Sequence, residues 1–160
     1  MPASPIRLNM KPDRNAGKSL QDLIDAGTVP VAVMSQLRTG FVDRLIADGS
    51  RGIMYADLNP CNLTIGDAGE IRIISPVADA PYDEAAVVAR YGLLLQTVVS
   101  ALPVRFSALQ RIAGRCLRGD YGSMSEVALA LEKESSNGIY ATVIAVILIM
   151  GALLLALATN

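Results

Sequence analysis

Histidine and tryptophan are absent from this chain, and only two cysteines, Cys61 and Cys116, occur among its 160 residues. Without histidine there is no Ser/His or Cys/His couple to activate a nucleophile. The cysteines lie far apart with no CxxC spacing, so no zinc site is expected. Both read as small buried hydrophobes in a reducing compartment. Cationic surplus is missing too. Fourteen Lys and Arg face fifteen Asp and Glu, for a net charge of −1 and a pI near 5.4. Nucleic acid, which calls for a basic face, is therefore not an expected partner. Residues 1–19 are polar and proline-broken and carry no apolar signal-peptide core.

One more absence is local: no Lys, Arg, Asp or Glu follows Glu134. From Ile139 to Ala158 the chain is apolar apart from Tyr140, Thr142 and Gly151. A span of about 20 apolar residues suffices to cross a hydrocarbon core, and no polar stripe marks it as the flank of a soluble helix. The expectation is a single transmembrane helix over 139–158, with Ile139, Val143, Ile147, Met150 and Leu154 among its membrane residues. A span at the C-terminal end implies a tail-anchored, single-pass protein with its N-terminal domain in the cytoplasm. Lys133 on the head side agrees with that orientation. Composition points to a bacterial inner membrane. Ala141, Ala145, Gly151, Ala152, Ala156 and Ala158 suit either a lipid-facing anchor or a helix packed on a partner. No ionisable residue lies within the span to conduct ions or protons.

Ahead of the span, residues 18–134 read as one mainly α (α+β) domain, preceded by an extended lead-in over 1–17 and followed by a linker over 135–138. Ser19 is placed as an N-cap with Asp22 three residues on, and Ala26-Gly27 ends that short helix. Met34, Leu37, Phe41, Leu45 and Ile46 recur at helical spacing and predict one longer helix from Val31 to Asp48. Leu63-Thr64-Ile65 and Ile71-Arg72-Ile73-Ile74, joined by Gly66-Asp67-Ala68-Gly69, predict a β-hairpin. Asp79, Asp83 and Glu84 read as a solvated acidic loop. An acid and an amide just ahead of the hairpin, Asp57 and Asn62, could share a metal or a phosphate. Both residues also bond readily to nearby backbone and can simply hold the loop, with Pro60 fixing φ between them.

The run Asp57-Leu58-Asn59-Pro60-Cys61-Asn62 and its hairpin resemble the catalytic loop of the protein-kinase family, where H-R-D-L-K-x-x-N leads into the strand pair ending at D-F-G. On that resemblance Asp57 falls on the catalytic Asp and Asn62 on the magnesium-binding Asn. Tyr55-Ala56 replaces His-Arg, Asn59 replaces Lys, and Ser75-Pro76-Val77 replaces D-F-G. Val87 to Leu95 resembles a buried family helix in which Gly92 keeps the Gly and Val87 replaces an Asp. Leu109 to Leu117 and Tyr121 to Leu131 resemble two later helices. The resemblance covers residues 18 to 133 and implies a truncated, kinase-like C-lobe. No G-x-G-x-x-G occurs in the sequence, and only Ala78 to Ala86 stand where an activation segment would lie.

Phosphoryl transfer depends on a phosphate-binding Lys, paired metal carboxylates and a positioned Asp acting together. With Ser75 neutral where a carboxylate belongs, the resemblance implies a pseudokinase rather than an enzyme, with Asp57, Asn62 and Ser75 as degenerate positions and no cofactor. The expected role is a membrane-anchored scaffold or accessory subunit, with the bilayer and another membrane protein or complex as partners. Two alternatives stay open. One is a nucleotide-binding or weakly active phosphotransferase half completed by an N-lobe in trans. The other is a plain tail anchor with an unrelated helical head, in which Ile73→Pro would leave the head folded.

Overall fold

A computed structural model describes residues 17–103 and 106–135. In chain order these form α1 (Leu20–Asp25), α2 (Val31–Arg38), α3 (Gly40–Gly49), a 3-10 turn (Pro60–Asn62), β1 (Leu63–Ile65), β2 (Ile71–Ile73), α4 (Glu84–Ala101) and α5 (Ser107–Leu117). A last helix, α6, covers residues 124–135 of the described chain and includes Ser135, the first residue of the expected linker. The fold is mainly helical with one two-stranded antiparallel sheet. No helix among the described residues is long and apolar enough to cross a membrane. The expected span over 139–158, with Ile139, Val143, Ile147, Met150 and Leu154, lies outside them.

The core is organised on α4, whose Val87, Val88, Tyr91, Leu94, Leu95, Val98 and Val99 are all buried. A helix apolar around most of its circumference must be covered from several sides. Here α5 supplies Leu109, Ile112, Ala113 and Cys116, and α2 and α3 supply Leu37, Phe41 and Leu45 to the same core. Gly92 sets the approach of α4 to α5, since a Cβ there would stand 2.5 Å from Cys116 Cβ and 3.1 Å from Ala113 O. Tyr91 lies at 0% exposure and donates its hydroxyl to Leu37 O at 2.9 Å, which ties α4 to the last turn of α2.

The capping box at α1 is present: Ser19 Oγ accepts from Asp22 N–H, and Asp22 accepts from Ser19 N–H. The hairpin forms in the register Leu63↔Ile73 and Ile65↔Ile71. Its turn closes through Gly66 N–H to Glu70 O and Gly69 N–H to Gly66 O. Gly69 at φ 83° occupies the left-handed region that other residues avoid. The chain ahead of α1 joins this sheet: Ile65 N–H donates to Lys18 O, and Ser19 bridges Thr64. Residues 1–16 of the expected lead-in lie outside the described residues.

Three sequence expectations are corrected. The single helix over Val31–Asp48 is two helices, broken at Thr39 (φ −124°, ψ −88°). Thr39 turns its Oγ–H back to Ser35 O at 3.0 Å, so its side chain competes with the backbone for a helix acceptor. Met34, Leu37, Phe41 and Leu45 are nonetheless all buried across the break, which is why their spacing concealed it. The acidic stretch is only partly a solvated loop. Asp83 caps α4 by accepting from Ala86 N–H. Glu84 accepts from Tyr82 OH and from Met124 N–H, both at 2.8 Å, an anion held between the N-termini of α4 and α6. Finally, only Cys116 is buried, and Cys61 is exposed.

Candidate functional site

The loop before the hairpin alternates its faces. Leu58 and Pro60 are buried while Asp57, Asn59 and Cys61 are exposed. Two apolar anchors thus pin the loop while its polar side chains look outward. Asn59 Oδ1 accepts from Cys61 N–H at 3.0 Å and caps the 3-10 turn, with Pro60 in its first turn where no N–H is needed.

The segment leading into the loop pairs with the segment leaving the hairpin. Ala56 N–H donates to Pro76 O at 2.9 Å, and Ala78 N–H to Met54 O at 2.7 Å. Asp57 continues this pairing, except that its N–H donates to a side chain, Ser75 Oγ, at 3.1 Å. Asn62 Nδ2 donates to Asp57 Oδ2 at 3.4 Å, and Asn62 O accepts from Ile74 N–H at 2.8 Å. The structure therefore brings Asp57, Asn62 and Ser75 together in one hydrogen-bonded chain. Ser75 is 7% exposed and uses its hydroxyl within the protein, accepting from Asp57 and donating to Pro76 O at 3.4 Å.

Tyr55 ties the segment leading into the loop to α3. Its hydroxyl donates to Asp48 Oδ2 at 2.7 Å, and Arg44 approaches the same carboxylate at 3.5 Å. Arg90 of α4 donates to Tyr55 O at 2.5 Å. Burial, followed by donation to Asp48, raises the Tyr55 phenol above its ordinary value. Asp48 is one of two buried polar residues of the described chain and had no role in the sequence expectations. A signal was available: three residues beyond Leu45, Asp48 falls on the buried face of α3, where an unpaired carboxylate would be costly.

Chemically, the loop offers one exposed carboxylate, one amide and a hydroxyl already committed on both sides. Magnesium bound to a nucleotide is held by one or two carboxylates with the phosphates supplying further oxygens. Asp57 could contribute one such ligand; Ser75 adds no charge. Among the described residues, no three His, Cys, Asp or Glu side chains converge on a common point. No protein-family model matches this chain, and no curated protein matches it.

Proposed function

We propose that the chain is a non-catalytic, membrane-anchored scaffold or accessory subunit: a pseudokinase-like C-lobe head, residues 18–134, placed at a membrane by residues 139–158. The observation that carries this reading is the closure of the loop on itself. Ser75 Oγ holds Asp57 N–H and Asn62 Nδ2 reaches Asp57 Oδ2, so the hydroxyl and the amide are engaged within the loop and Asp57 is left as its one exposed carboxylate. Just outside this closed network, Ile74 and Val77 are 60% and 59% exposed. Apolar side chains flanking the loop suit a protein partner, taken here to be another membrane protein. The bilayer is the second partner, with the head on the cytoplasmic side.

A photo-crosslinking residue at Val77 in native membranes tests the reading. The expected product is one crosslinked species of fixed mass that disappears when Ile74 is replaced by Asp. Recovery of a freely diffusing monomer alone would sink the scaffold role. The side-by-side placement of Asp57 and Asn62 favours a second reading, in which the head binds a nucleotide or works as a phosphotransferase half with an N-lobe in trans. That reading needs a magnesium-dependent response to ATP.

A further inference from the structure

A groove of about 860 Å³ opens where α2, α3, the α4–α5 connection and α6 meet. Ligand pockets fall at about 300–1,000 Å³ and combine apolar walls with a few polar groups. Val29, Met34, Val42, Leu109 and Leu131 form its apolar walls. Two large apolar residues of the lining, Val31 at 86% and Phe106 at 36%, are exposed to solvent. Arg38 supplies an unsatisfied donor to the wall: its Nε is buried and has no hydrogen-bond partner in the described structure. Buried donors of this kind are rare and call for an acceptor from elsewhere.

The position of the groove indicates what fills it. α6 contributes Ala128, Leu131, Glu132 and Ser135 to the lining, a stripe at helical spacing that reaches the last described residue. Carried forward in the sequence, the same spacing arrives at Ile139, where the uncharged apolar run begins. Four residues extend at most about 14 Å, so the groove stays that close to whatever holds Ile139.

We propose that the groove is the membrane-docking end of the head and admits a phospholipid acyl chain from the bilayer, with Val31 and Phe106 entering the headgroup layer. This rests on residues 139–158 being a membrane anchor. The attraction is apolar rather than electrostatic. Asp43 shares the lining with Arg38, and the chain carries a net charge of −1, so the described lining presents no polybasic cluster to favour anionic lipid. Zwitterionic phosphatidylcholine suffices.

The chain contains no Trp, which makes a single introduced Trp a clean reporter. Full-length Phe106→Trp and Val31→Trp, both at exposed positions, are reconstituted into phosphatidylcholine vesicles with plain or brominated acyl chains. Val77→Trp, outside the groove lining, is the comparison, and flotation reports membrane association separately. The proposal expects all three variants to float. Bromine should quench the Phe106→Trp and Val31→Trp variants several-fold, while Val77→Trp keeps its emission. Flotation with both groove variants unquenched overturns groove docking and leaves the anchor intact, and so does equal quenching of all three. Failure to float overturns the anchor, and the docking proposal with it.

Discussion

Replacing Gly92 with Ala sets two effects of known size against each other. In a helix interior the change is favourable by about 1 kcal/mol, because Gly loses more backbone freedom on folding. Against it stands α5. The added Cβ would lie 2.5 Å from Cys116 Cβ, 3.1 Å from Ala113 O and 3.4 Å from Leu117 N. Carbon atoms rest at about 3.5–4.0 Å, so α4 and α5 must separate by about 1 Å. Backbone is among the atoms met, and no rotamer change relieves it. A gap of that size forfeits a quarter to a half of the dispersion attraction across the contact, and overpacking costs about 1–3 kcal/mol. The net expectation is a loss of about 1 kcal/mol, and of about 2 kcal/mol at most, or about 4 °C in Tm for a domain of this size. Gly114→Ala is the matched control, since its Cβ would meet only the flexible end of Arg118 at 3.4 Å. It should stabilise by up to about 1 kcal/mol. Urea unfolding of the full-length chain in mild detergent, followed by circular dichroism, reads both. If the two substitutions shift stability in the same direction, the close α4–α5 packing is refuted.

Ser75→Ala removes the partner of Asp57 N–H and should cost about 1–2 kcal/mol, with faster hydrogen exchange confined to residues 54–57 and 75–78. The hairpin separates two proline substitutions. Ile74 N–H to Asn62 O and Gly66 N–H to Glu70 O make Thr64 and Arg72 the hydrogen-bonded pair between them, so the Ile73 N–H points away from β1. Arg72→Pro removes a ladder hydrogen bond, should therefore cost about 1 kcal/mol and exceed Ile73→Pro, and the opposite order in urea unfolding would contradict this register. Burial and donation to Glu84 push the Tyr82 phenol up from 10.0 to about 12. Its stabilising effect is present below pH 10 and disappears between pH 10 and 12. A phenolate absorbance titration should show one tyrosine with that late midpoint, lowered in Glu84→Gln.

Where local chemistry decided the conformation, the sequence disclosed it. Ser19 and Asp22 announced a capping box, and the Gly66–Gly69 turn between β-branched runs announced the hairpin. The kinase resemblance set Asp57, Asn62 and Ser75 at one site, and hydrogen bonds join the three. What stayed hidden depended on contacts distant in sequence. The break at Thr39 leaves the apolar spacing untouched, so periodicity gives no sign of it. Glu84 resembles any exposed acid until α6 brings Met124 N–H to it. Arg38 looks like an ordinary surface cation until the groove closes over its Nε.

The central claim, a loop whose polar groups are committed to the protein itself, is tested most directly by thermal unfolding of the full-length chain in nanodiscs with and without magnesium and ATP. A binder at a hundredfold excess over its Kd gains about 2.7 kcal/mol, which is readily seen as a rise in Tm. The account predicts one cooperative transition of the head at the same temperature in all conditions. A magnesium-dependent rise that disappears in Asn62→Ala would contradict it and establish the nucleotide-binding alternative.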